Sequence, residues 1–137
     1  MEKILILDDQ DLHAQAIAAL LAARGYQCLT TSDPIGFVGL LKSEKPDMAL
    51  VDVAMRAISG DLVVKFVKKQ PGIHHCPLVL WSSLNPGVLR RLVEATGADG
   101  YICKLAGPEE LENEVRRYLG QGGERAVDLV GIRPEDP

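Results

Sequence analysis

Short continuous runs of apolar, β-prone residues alternate along this chain with longer segments in which apolar positions return every three or four residues. The short runs predict strands over Lys3–Leu7, Gln27–Thr31, Met48–Val51, Leu78–Trp81 and Gly100–Cys103. Several lack the polar alternation of a half-exposed strand, as expected of strands covered on both faces. The longer segments predict five helices. The first spans Asp11–Arg24, carries Ile17, Leu20 and Leu21 on one face, and ends at Gly25, a residue suited to closing a helix. The second opens at Asp33-Pro34, an N-cap followed by proline at the first helical position. The third runs from Ser59–Gly60 through Val63, Val64 and Val67 to Gln70-Pro71-Gly72, and the fourth from Asn85-Pro86 to Gly97. The fifth starts at Gly107-Pro108 and repeats Leu111, Val115 and Leu119 along its buried side.

Five strand–helix pairs in strict alternation, with right-handed crossovers, predict an α/β fold: a doubly wound, five-stranded parallel sheet with helices on both faces. With strand order 2-1-3-4-5 this is the flavodoxin-like arrangement. The domain is expected over residues 1–120, and residues 121–137, rich in Gly, Pro and charge, read as a linker or flexible tail. No internal repeat is visible.

Composition narrows the functional classes. Apolar residues make up 47% and charged residues 25% of the 137, the balance of an ordinary globular protein. The net charge of −4 leaves no basic surplus for nucleic acid or anionic lipid, so neither is expected as a direct partner. The N-terminal apolar run is too short for a secretion signal, and no stretch has the length of a membrane span. Cys28, Cys76 and Cys103 are odd in number and lack metal-ligand spacing; they read as reduced thiols of a cytoplasmic protein. His13, His74 and His75 have no ligand spacing either and read as surface residues.

The polar residues at the strand ends carry the chemistry. In such a sheet the site lies beyond the carboxyl ends of the strands, where strand order reverses. There the first strand meets Asp8-Asp9, the third Asp52, the fourth Ser82-Ser83 and the fifth Lys104. Each alone has an ordinary reading as a helix cap, a strand end or a solvated charge. Together they do not: neighbouring first and third strands bring Asp8, Asp9 and Asp52 into one crevice. Two carboxylates about 5 Å apart repel by about 3 kcal/mol at an effective dielectric near 20, a large share of a small domain's stability. Protonation or Lys104 offsets part of that, and a hard divalent cation offsets it best. Oxygen ligands with open water positions suit Mg²⁺. This requires Asp9 and Asp52 close enough to share a cation, and Asp52 open to solvent.

These residues and the strings ILILDDQ, DMALVDVAM, SGDLV, CPLVLWSS and GADGYICK resemble the receiver domains of bacterial two-component response regulators, the CheY-like superfamily, over about residues 2–119. The resemblance implies that Asp52 takes a phosphoryl group from the phosphohistidine of a sensor histidine kinase or phosphotransfer protein. It implies Mg²⁺ held by Asp9 and Asp52, by Asp8 through water, and by the backbone carbonyl of Ala54. Lys104 would pair with a phosphoryl oxygen and Ser82 would move to bond another, while Tyr101 would turn inward as the aromatic switch. The face formed by the fourth helix, fifth strand and fifth helix would then engage a downstream protein or output domain, or form a homodimer; Val88, Leu89, Leu92 and Val93 would supply its apolar contacts, although at least half of them are expected in the core. The protein would be no enzyme towards other molecules, acting only on its own Asp52. Three positions depart from the pattern. Leu105 replaces the proline that usually follows the lysine, which predicts a trans bond, since a cis one before leucine costs about 2.5–4 kcal/mol. Arg56 stands where proline is common, and Ser83 replaces a small apolar residue. Two alternatives stay open: a pseudo-receiver that signals without phosphate, and a phosphohydrolase using the Asp9 and Asp11 pair of DDQD, which lacks a following threonine.

Overall fold

The computed structural model describes residues 1–73 and 75–120; the expected tail and His74 lie outside the described residues. Ten elements alternate without exception: β1 (Lys3–Leu7), α1 (Asp11–Ala22), β2 (Gln27–Thr31), α2 (Pro34–Glu44), β3 (Met48–Asp52), α3 (Gly60–Lys68), β4 (Leu78–Ser82), α4 (Pro86–Thr96), β5 (Gly100–Cys103) and α5 (Pro108–Leu119). The five strands form one parallel sheet in the order β2-β1-β3-β4-β5, as the alternation predicts. Among the described residues no helix is long and apolar enough to cross a membrane.

The central strands are buried from end to end, and alternation splits their side chains between two cores. Leu5, Leu7, Ala49, Val51 and Leu80 join Phe37, Leu41, Val64 and Leu89 on the side of α2, α3 and α4. Ile4, Ile6, Met48, Leu50, Val79 and Trp81 join Leu21, Leu111, Val115 and Tyr118 on the side of α1 and α5. The caps act as their residue types require. Asp33 accepts hydrogen bonds from the Ile35 and Gly36 N–H groups, and Asn85 accepts one from Val88, each ahead of a proline.

Several details depart from the sequence reading. α1 stops at Ala22, with Ala23 as its cap, and the left-handed residue Gly25 (φ 98°) comes two positions later. β3 and β4 each extend one residue further, so Asp52 and Ser82 are the last strand residues. In α5 the deeply buried residue is Tyr118 and Leu119 is half-buried. The reason lies across the interface, where Gly100 leaves open the space a β-carbon would take from the Tyr118 ring and hydroxyl. Of the apolar residues of α4, Leu89 is fully buried, Leu92 and Val93 are half-buried against the core, and Val88 is half-buried.

Candidate functional site

Parallel register delivers the site. β1 is paired with β3 up to Leu7↔Val51, so Asp8 and Asp52 leave adjacent strands at the same level. Oxygen atoms of Asp8, Asp9 and Asp52 lie within 4.8 Å of one another. From the far strand, the Lys104 ammonium reaches Asp52 Oδ1 at 2.8 Å and stands 3.8 Å from Asp8 Oδ2. The first requirement, a shareable cation position, is met.

The second is not met as stated. Asp52 is 2% exposed and Asp8 1%, while Lys104 lies over them at 20%. A parallel strand end walled by both cores is shielded on its flanks, and the lysine covers what remains. Burial pushes the Asp52 carboxyl above its usual value; the Lys104 hydrogen bond and charge draw it back, and the neighbouring charge of Asp8 raises it further. The other carboxylate oxygens are held locally. Asp8 Oδ1 accepts from the Gln10 N–H at 2.9 Å, and Asp9 Oδ2 accepts from the Arg56 N–H at 2.8 Å. Arg56 thus contributes a backbone donor to the site in addition to its exposed side chain. Asp8 Oδ2 is buried with no hydrogen-bond partner. A buried, unpartnered carboxylate oxygen beside two further carboxylates is the donor set a hard divalent cation fits.

Gly60 fixes the floor of the crevice. Its N–H donates to the Val53 carbonyl at 2.9 Å, and a β-carbon there would overlap the Asp52 carbonyl oxygen. Ser59 Oγ donates to the same Val53 carbonyl at 3.1 Å. Ala54 sits exposed at the rim, its N–H directed to the Asp52 carboxyl. Ser82 is buried, and its Oγ accepts from the Leu84 N–H at 3.0 Å; Ser83 is exposed. The bond between Lys104 and Leu105 is trans, and Leu105 is 80% exposed. Tyr101 is half-buried, its hydroxyl 3.4 Å from an Arg90 guanidinium nitrogen. Asp11 is exposed in the first turn of α1.

Two contacts were not legible in the sequence. The His13 Nδ1 lies 3.9 Å from Asp8 Oδ2, although the ring is half-exposed as a surface residue would be. The Trp81 ring centroid lies 5.8 Å from the Lys104 ammonium. The three cysteines are free and half-buried, and burial pushes Cys28 to about 11 and Cys76 to about 12.

Comparison with known proteins places this arrangement in a family. The profile of the response regulator receiver domain matches residues 4–116. The probable transcriptional regulator ycf27 of Galdieria sulphuraria is 32% identical over 118 residues, 86% of this chain and 45% of its own length. The polar-differentiation response regulator DivK of Brucella anthropi is 23% identical over 87% of this chain and 97% of its own. Among solved structures, the chemotaxis protein CheY4 of Vibrio cholerae superposes with a TM-score of 0.78 at 25% identity, covering 86% of this chain and 98% of that one. The chain belongs to the response regulator receiver domains of two-component signalling. It spans less than half the length of the ycf27 relative and nearly all of DivK.

Proposed function

We propose that this receiver is a phosphorylation switch in which Asp52 is the acceptor. An Asp52 carboxylate oxygen attacks the phosphorus of a phosphohistidine on a sensor kinase or phosphotransfer protein. The P–N bond breaks, its electron pair returns to the imidazole, and an aspartyl phosphate remains. Asp8, Asp9 and Asp52, with the Ala54 carbonyl, would hold Mg²⁺, which when bound supplies positive charge that lets one anion approach another. Lys104 releases Asp52 and follows the phosphoryl oxygens, Ser82 exchanges its Leu84 bond for one of them, and Tyr101 turns towards the space Ser82 leaves. The groove of about 460 Å³ between α4, β5 and α5, with Arg90, Tyr101, Glu110 and Arg117 on its walls, then engages the downstream protein, an output domain or a second copy. Catalysis is confined to the protein's own acylphosphate. The observation that carries this reading is the gathering of three carboxylates within 4.8 Å under a single ammonium 2.8 Å from Asp52.

One observation favours the pseudo-receiver instead: Asp52 is closed off, and the Leu105 loop does not hold Lys104 away from it. Intact-mass measurement with acetyl phosphate and Mg²⁺ decides between them. The wild type should gain one phosphoryl group and Asp52→Ala none. No gain on the wild type, or an equal gain on both, would overturn the switch.

A further inference from the structure

We propose that Trp81 is a positioning residue for Lys104: its indole seats the ammonium over the carboxylates and sets where the lysine can reach. The inference rests on the reading of Asp52 as acceptor.

The argument begins with sheet geometry. Asp52 pairs with Trp81, and Trp81 with Ile102. Trp81 and Ile102 belong to the core on the α1 and α5 side, and by the two-residue alternation of a strand Asp52 and Lys104 face the same way as Leu50 and Ile102. Lys104 therefore starts beside edge strand β5 and ends on a carboxylate of β3, with β4 between. Strands lie about 4.8 Å apart, so the lysine side chain, its hydrogen bond and the Asp52 carboxyl together span roughly 10 Å of sheet, and the residue at the crossing is Trp81. The ring is 5.8 Å from the ammonium, inside the range of about 6 Å in which an aromatic face attracts a cation. Trp81 is 5% exposed and Lys104 20%, so water screens the attraction weakly.

The backbone near Lys104 gives its side chain little other guidance. The Lys104 N–H donates to the Ser82 carbonyl at 2.7 Å, and the Ala106 N–H to the Cys103 carbonyl at 3.1 Å. Leu105, between them, is 80% exposed. The direction of the ammonium is set by what lies along its path, and among the described residues that path holds the carboxylates at its end and the indole beneath it. An aliphatic residue at position 81 would fill the core and leave the stem unguided.

The test combines a direct readout of the seat with a kinetic one. In ¹³C-lysine-labelled protein, with Lys104 assigned through Lys104→Arg, its methylene protons should resonate upfield of the other lysines because of the indole ring current. Trp81→Leu should remove that shift and slow phosphorylation by acetyl phosphate about fivefold, the worth of one partly buried cation–aromatic contact. Trp81→Phe, which keeps an aromatic face and serves should the leucine variant fail to fold, should recover the rate to within about twofold of wild type by the same interaction. Mg²⁺ affinity should be equal in all three, since the indole touches none of the cation's ligands; a merely structural defect would weaken it together with the rate. Unshifted Lys104 methylenes in the wild type would overturn the proposal, as would a folded Trp81→Leu variant phosphorylated at the wild-type rate. Upfield methylenes in a wild type that takes no phosphoryl group would leave the seat standing and remove the acceptor reading alone.

Discussion

The two edges of the sheet use the same residue types to opposite effect. At the amino edge of the strands Glu44, Asp47 and Asp99 each have a donor. Asp47 accepts from the Lys3 N–H at 2.7 Å, and Glu44 pairs with the Lys3 ammonium at 3.0 Å. Asp99 accepts from the Leu78 N–H at 2.8 Å and from the Lys68 ammonium at 2.9 Å. At the carboxyl edge Asp8 and Asp52 share one ammonium, with Asp9 beside them, and a buried oxygen of Asp8 accepts no hydrogen bond. The first edge holds the strands in register. The second carries an electrostatic load that Lys104 relieves in part and a bound cation would relieve further, and the domain tolerates it because the apolar cores and the opposite edge supply the stability.

That contrast can be broken by equivalent substitutions. Asp99→Ala strips the partner from a strand N–H and from Lys68, and should destabilise the protein by about 2 kcal/mol in urea unfolding. Asp8→Asn at the other edge should do the reverse without Mg²⁺. It removes repulsion against Asp52 and should raise stability by about 1 kcal/mol, while abolishing the rise in melting temperature that Mg²⁺ gives the wild type. If both variants lose stability alike, the two edges do not differ as described. Asp52 adds a dependence on pH. Its folded carboxyl titrates above the usual value of 3.8, so just above that pH the native state retains a proton that the unfolded chain has lost. Stability therefore falls as pH rises through the window between the two values and is level beyond it. Asp52→Asn lacks this titration, so its stability relative to wild type should increase across the same window in parallel denaturation curves. The smallest effect belongs to Glu44→Gln, whose partly exposed pairing with Lys3 should be worth less than about 0.5 kcal/mol.

The fold was largely legible because its signals are local. Parallel strands covered on both faces must be apolar throughout, which marks Met48–Val51 and Leu78–Trp81 without reference to anything distant. Asp33-Pro34 and Asn85-Pro86 announce helix starts by chemistry confined to one turn. The composition of the acidic crevice could also be read, since strand order and strand ends determine which residues meet. Its closure could not. The burial of Asp52 depends on a lysine from β5 meeting its carboxyl over the intervening strand, and the nearness of His13 to Asp8 depends on how α1 leans on β1. Tyr118 displaced Leu119 from the expected buried position for a similar reason: a four-residue spacing describes one helix, whereas the accommodating gap at Gly100 belongs to another element.

That gap has a consequence for how the sequence can drift. The Tyr118 phenol fills the volume where position 100 would carry its first side-chain carbon, so the two sites behave as one heritable unit. A lineage that acquires alanine at 100 must already have lost the ring at 118. One that trades the tyrosine for a smaller residue opens a hole beneath β5, which only a bulkier neighbour, such as a side chain at 100, refills.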